Sequence, residues 1–222
     1  MEKGIRLRYI DIAKGISIIC IILGHLGVAE INRVVFTFHV PIFFLITGYF
    51  VSSKRTVRQF IKVKFRTLII PYAITCLGII ILGTFKGWLK GDMVNELEKW
   101  VYASLYGAGD SYSEPFWIPS IGALWFLLAT FWASVFLRVL LEFNKFVRVV
   151  AVLVLFSLGY CSRVICWFPL SIQAGACAVL WMYVGFLAKD ASDVLSTLNK
   201  ETKCFALISC FLEVFAKQKT RE

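Results

Sequence analysis

Apolar residues run along the chain in long stretches separated by short polar ones. A helix needs about 20 such residues to cross a hydrocarbon layer. Stretches of that kind fall at approximately 10–29, 34–51, 67–85, 120–141, 146–164 and 169–188. None alternates with period two, which argues against a β-barrel, and no internal repeat or low-complexity tract is evident. The pattern predicts an all-α fold: a polytopic transmembrane helix bundle with six complete spans, occupying residues 1–203. Residues 204–222 hold an apolar run, 204–216, too short to span, followed by Lys217, Lys219 and Arg221. They read as an incomplete seventh helix and a basic tail, as in a C-terminally truncated protein.

Composition strengthens the membrane reading. Hydrophobic residues make up 59% of the 222, charged residues only 17%, and the mean hydropathy is +0.77. Soluble domains lie well below this apolar content. The net charge of +10 follows from insertion, because Lys and Arg collect in cytoplasmic loops, and it does not call for nucleic acid. Lys54, Arg55, Arg58, Lys62, Lys64 and Arg66 occur between 52 and 66 without an acid among them. That segment is expected to be cytoplasmic, which puts the N-terminus on the cytoplasmic side as well. The outer loops then hold only Arg33, Lys86, Lys90, Lys99 and Arg163. The first apolar run lacks a small-residue cleavage site and reads as a retained helix. The seven Cys form no C-x-x-C pair, so neither a disulfide framework nor a metal site is expected. Segment 86–119, with Trp88, Trp100, Tyr102, Tyr106, Tyr112 and Trp117, is expected on or dipping into the outer interface, as a lid or as a plain anchor.

Ionisable groups at membrane depth cost about 2.5–3.5 kcal/mol each on insertion scales, so they are functional candidates. Both histidines of the chain, His25 and His39, lie in apolar runs. On the predicted spans they share a depth in the outer half of neighbouring helices. A lone membrane histidine can also serve only to hydrogen-bond a neighbouring helix. Asp11, Lys14 and His25 fall within an arc of roughly 60° on the first helix. Lys14 and His25 are roughly 16 Å apart along the axis, and Asp11 and His25 roughly 21 Å. Asp11 therefore cannot orient His25, and an ion pair with Lys14 or Arg8 is its alternative role. The face has two stations: charges at the cytoplasmic mouth and an imidazole three turns deeper.

The stretch R-Y-I-D-I-A-K-G-I-S-I-I-C-I-I-L-G-H (8–25), followed by F-T-F-H-V-P-I-F-F-L-I-T-G-Y-F (36–50), resembles the membrane-bound acyltransferase 3 family. Lys14 and His25 match the family's basic residue, ten intervening positions and histidine. Phe38, His39, Pro41, Phe43, Phe44, Gly48 and Tyr49 match its second-helix signature. Lys64 and Arg66 before L-I-I-P-Y (68–72), and G-A-L-W-F-L (122–127), fit the starts of later helices. The similarity runs to about residue 188, and the family's members carry more helices than the six read here.

The resemblance implies an enzyme that moves an acyl group, commonly acetyl, from cytoplasmic acyl-CoA to a hydroxyl of a cell-surface or exported carbohydrate, lipid-linked acceptors included. Acyl-CoA is a co-substrate, and no bound cofactor is expected. Lys14, Lys64, Arg66 and Arg8 would hold its phosphates. His25 would act as general base or as a transient acyl carrier. His39 would orient His25 or donate to the thioester oxygen, with the Tyr49 hydroxyl the next candidate for orientation. Trp125 reads as pore-lining or as helix packing. The competing classes are an inactive remnant of such an enzyme and a transporter or flippase component, where buried His and Lys would mark a proton relay.

Overall fold

The computed structural model describes residues 8–24, 26, 28–52, 54–113 and 117–196. These residues are mostly helical, with one isolated antiparallel bridge between Tyr112 and Ile118 and no strand among them. The helices are α1 (Arg8–Gly24), α2 (Ala29–Tyr49), α3 (Val57–Lys64), α4 (Ile70–Lys90), α5 (Met93–Tyr106), α6 (Trp125–Leu140), α7 (Lys145–Cys161) and α8 (Ile172–Ser196). The all-α expectation holds, and a helix occupies each of the six predicted apolar stretches. Among the described residues, three helical segments are long and apolar enough to cross a membrane: Val57–Lys90, Gly122–Leu140 and Pro169–Ala191. The described part of α1 and the whole of α7 have 17 residues each, at the short end of the lengths that cross a membrane. The incomplete seventh helix expected at 204–222 lies outside the described residues.

Local chemistry explains several of the boundaries. At the start of α3, the Thr56 hydroxyl accepts from the Gln59 amide and the Gln59 side chain accepts from the Thr56 amide, each at 3.3 Å. This reciprocal pair satisfies two donors that the first turn leaves orphaned. The helix then passes through one π turn, Phe65–Ile69, before α4. Pro71 has no amide hydrogen and its ring crowds the carbonyl four residues back. The wider turn accommodates that loss. Thr67 Oγ1 donates to the carbonyls of Val63 (3.0 Å) and Lys64 (3.3 Å) within the same stretch. At the far end, α4 stops at Gly91 in the left-handed region (φ 77°), and the Asp92 amide bonds back to Gly87 at 2.9 Å. That closure is a glycine helix stop.

Immediately after it, α5 folds back along α4. A Cβ on Gly87 would meet Glu96, and one on Gly83 would meet the Trp100 indole. Deeper along the pair, the Tyr72 hydroxyl donates to the Ser104 carbonyl at 2.6 Å. The segment expected on or in the outer interface is thus a helical hairpin with its second arm returning toward the bundle. It is anchored where Gly107 (φ 59°) packs against Leu128, Ser171 and Tyr72.

The main core sits between α6 and α8, with α2 and α7 packed on them. It is built from Phe44, Ala129, Ala133, Leu137, Val152, Ala178, Val179 and Met182, joined by Val51 from the α2–α3 connection and Phe60 from α3. Alanine at the seam lets the backbones approach closely, as in membrane bundles, where lipid supplies no hydrophobic drive between helices. The closest approach is between α2 and α8. Gly48 lies against the Met182 main chain and Gly185 against the Leu45 main chain.

One charged residue is sealed in near this core. Arg138, 3% exposed, donates to Glu142 Oε1 (2.5 Å) and to the Arg55 carbonyl (2.7 Å). It pins the basic 52–56 loop to the end of α6. Arg148 reaches the carbonyls of Leu140, Leu141 and Phe143 at 2.9–3.3 Å, capping the same helix end, where a cation favours the dipole. Arg138→Met keeps the stem and removes both charged bonds. It is expected to cost about 1.5–3 kcal/mol, read as a lower thermal midpoint in detergent. An unchanged midpoint would mean that the clamp holds nothing.

Candidate functional site

The helix boundaries differ from those of the apolar runs. Helix α1 ends at Gly24 and α2 begins at Ala29, several residues earlier than the apolar runs indicated. His25 itself lies outside the described residues. Position 39 falls ten residues into α2, about 15 Å along its axis from Ala29. Lys14 is ten residues, again about 15 Å, from the Gly24 end of α1. The expected common depth of the two histidines involves His25 and so lies outside the described residues.

Lys14 itself sits with its ammonium 5.6 Å from the centre of the Phe50 ring, just past the end of α2. The Tyr49 ring stands edge-on to Phe50 at 5.4 Å. A cation on an aromatic face gains about 0.5–1 kcal/mol where solvent reaches it, enough to bias Lys14 toward this end of the helix pair. Tyr49 thus belongs to the Lys14 station. Asp11, on the same helix as Lys14, is exposed. Arg8 opens α1.

On the other side of the 51–56 connection, Lys64 is half-buried, with its ammonium 5.6 Å from the Phe60 ring centre. Phe60 and Val51 share the main core. The two cations thus flank one loop, each seated on a phenylalanine.

Arg66 faces elsewhere. It lines a groove of about 710 Å³ with Arg58, Gln59, Ile61, Lys62, Phe65 and Ile70. Arg58, Lys62 and Arg66 are spaced four apart, so they stack along one helix face. Three guanidinium or ammonium groups on an open groove suit a multiply charged phosphate. Arg58 and Lys62 were missed as site residues, although their four-residue spacing is visible in the sequence. The helices do not gather all the predicted cations into one cluster. α1 packs chiefly on α2, whereas α3 and the π turn pack on α6.

Trp125 opens α6 half-buried, edge-on to Phe126 at 6.1 Å and against Gly109. These contacts are packing contacts between the two clusters that meet there. No group of three or more His, Cys, Asp or Glu suited to a metal occurs among the described residues.

A second groove, of about 600 Å³, lies on the hairpin side and is lined by Asn95, Glu98, Lys99, Tyr102, Tyr106 and Trp117. Beside it, Lys99 pairs with Glu96 at 3.2 Å. That hydrogen-bonded ammonium holds the Glu96 carboxyl below the usual carboxylate range.

Compared with protein families, residues 7–216 match the acyltransferase domain of the acyltransferase 3 family. The match takes in both histidine motifs, the basic stretch before α4 and the apolar run at 204–216. No curated protein and no solved structure matches the chain. With a family match over nearly its whole length and long apolar helices, the chain is a membrane protein that belongs to the acyltransferase 3 family.

Proposed function

We propose that this protein transfers an acetyl or related acyl group from cytoplasmic acyl-CoA to a hydroxyl of a cell-surface or exported carbohydrate. The observation that carries this reading is the family match across a chain that keeps Lys14 and His25 at the family's spacing. The cationic end of the fold supports it. Lys14, Lys64 and Arg66, with Arg8 at the start of α1 and Arg58 and Lys62 beside Arg66, supply the charge that CoA phosphates need. The slim pantetheine arm then runs roughly 16 Å along α1 from Lys14 to position 25.

There, His25 takes the proton of the acceptor hydroxyl as its oxygen attacks the thioester carbonyl. The carbon–sulfur bond breaks, an ester forms, and the proton passes to the departing CoA thiolate. In the covalent variant His25 first carries the acyl group itself. His39 would orient His25 or donate to the thioester oxygen.

The test is a membrane assay with radiolabelled acetyl-CoA. Expected is release of CoA thiol together with label in a carbohydrate fraction. Membranes whose CoA release and labelling equal those of vector-only controls would sink the proposal.

Lys14→Met is expected to raise the apparent KM for acetyl-CoA while affecting kcat less, the pattern of lost ground-state binding. Lys14→Arg is expected to be tolerated. If Lys14 merely neutralises Asp11, the double variant Lys14→Met, Asp11→Asn recovers full function. If Lys14 binds the donor, that double variant stays impaired.

The proposed orientation has the N-terminus and the 52–66 segment in the cytoplasm. With Cys introduced at Thr56 and Asp110, both exposed, an impermeant thiol reagent applied to intact cells is expected to label position 110 and spare position 56. The reverse pattern would invert the topology and the donor side with it.

A further inference from the structure

The hairpin groove has no part in the donor chemistry, yet it is built as a binding surface. Asn95, Glu98, Lys99, Tyr102 and Tyr106 follow helical spacing along one face of α5. Another face is committed to α4, through Glu96 at Gly87 and Trp100 at Gly83, and the Ser104 carbonyl accepts from Tyr72. The groove face is thus fixed before any ligand arrives. Trp117, on the chain returning to α6, completes the lining and is 55% exposed.

The chemistry of the lining is specific. Tyr102 and Tyr106 stack with ring centres 6.4 Å apart and planes 21° apart. With Trp117 they offer flat aromatic faces. Around them stand an amide, a carboxylate and an ammonium. Lys99 is held in place by Glu96 at 3.2 Å and lies 5.0 Å from the Trp100 ring centre. Opposite charges on Glu98 and Lys99 leave no excess cation, so a phosphate-rich ligand is not selected. A surface meant only for lipid would gain nothing from burying an amide and a carboxylate on the same face. A sugar ring matches both halves. Its C–H face is apolar and packs on aromatic rings, and its hydroxyls donate to carboxylates and accept from amides and ammonium groups.

The position fits as well. The α5 end of the groove is joined to the bundle by Gly107 at Leu128 and Ser171 and by the Trp167 indole bonded to the Tyr106 carbonyl at 3.3 Å. These contacts are near the start of α6 and α8. The basic loop, by contrast, is pinned to the last turn of α6 by Arg138.

We propose that this groove on α5 binds the carbohydrate acceptor as an oligosaccharide strand, at the end of the bundle opposite the donor cations. The assignment rests on the acyl-transfer reading for its biological meaning, and on the groove alone for saccharide binding. From Asn95 to Tyr106 the groove runs about 16 Å along α5, long enough for several sugar units in a row.

The experiment uses the full chain purified in detergent. Tryptophan fluorescence is titrated with cellohexaose, chitohexaose, maltohexaose and mannohexaose. At least one is expected to give saturable binding, weakened about tenfold by Trp117→Ala or Tyr102→Ala and largely kept by Trp117→Tyr. Trp88→Ala, at an exposed tryptophan of the hairpin outside the groove, is expected to leave affinity unchanged. Unaltered size-exclusion profiles certify folding. Saturation by none of the four, or equal affinity in wild type and Trp117→Ala, would overturn the assignment. So would equal losses from Trp88→Ala and Trp117→Ala, the outcome for an interfacial anchor. CoA release from acetyl-CoA is followed on the wild type in parallel. A protein that binds saccharide but releases no CoA would fail the acyl-transfer reading and leave the groove standing. One that releases CoA while Trp117→Ala changes nothing would fail the groove alone.

Discussion

Replacing His25 by Ala is expected to reduce acyl transfer by about 10²–10⁴-fold, the range that a positioned proton acceptor contributes, while the protein still inserts and folds. A hydroxyl is a poor nucleophile without a base, and the sequence offers few titratable groups at membrane depth that could substitute. Loss of the covalent route would produce at least the same deficit, so either mechanism gives the same sign. His25→Gln, which keeps hydrogen-bonding capacity but not basicity, is expected to be equally inactive. If His25 only bridged neighbouring helices, Gln would rescue the function and Ala would lower the thermal midpoint instead. Activity near wild type in both variants would remove His25 from the chemistry.

The largest structural effect is expected at the crossing of α2 and α8. A side chain on Gly185 would run into the Leu45 main chain, and one on Gly48 into the Met182 main chain. Neither obstacle is a flexible side-chain tip that could swing aside, so the helices must part. Overpacking of this kind costs typically about 1–3 kcal/mol, and more where backbone must move. Gly185→Val is therefore expected to lower the detergent thermal midpoint sharply and to abolish activity, since α2 carries position 39 and Tyr49. Gly78→Ala provides the contrast, because a Cβ there meets nothing within 4 Å. A Gly185→Val protein as stable as the Gly78→Ala protein would show that the helices do not meet at these glycines.

Much of this architecture was legible in the residues because hydrophobic length is a strong signal. Each apolar stretch became helix, and Pro71 and Gly91 punctuate the third as their chemistry demands. The boundaries were less legible. Apolar residues near 25–34 continue the pattern across the α1–α2 connection, so hydropathy alone could not find the turn. The hairpin was hidden for a different reason. Residues 93–106 mix Asn95, Glu96, Glu98 and Lys99 with Trp100, Tyr102 and Tyr106, which describes an interfacial helix as well as one folded back on a neighbour. Only tertiary contacts such as Tyr72 with Ser104 separate the two. For the candidate site, spacing nominated Lys14. The stacking of Arg58 and Lys62 with Arg66 needed knowledge that α3 runs unbroken into the π turn.

Segment Val57–Lys90 is a single helical rod of 34 residues, about 51 Å long at the rise of an α-helix. One end bears Arg58, Lys62 and Arg66, and the other half supports the arm that carries Tyr102 and Tyr106. The separation of these two surfaces is consequently set by counting residues in one element, as on a ruler, and does not depend on the accumulated tolerances of several packed contacts. Inserting one alanine within α4 would move one surface about 1.5 Å away from the other and turn it by about 100° about the rod. Deleting one residue from Phe65–Ile69 would instead close the wide turn to a regular one and largely keep the facing of the cations, because the wide turn already absorbs one extra residue.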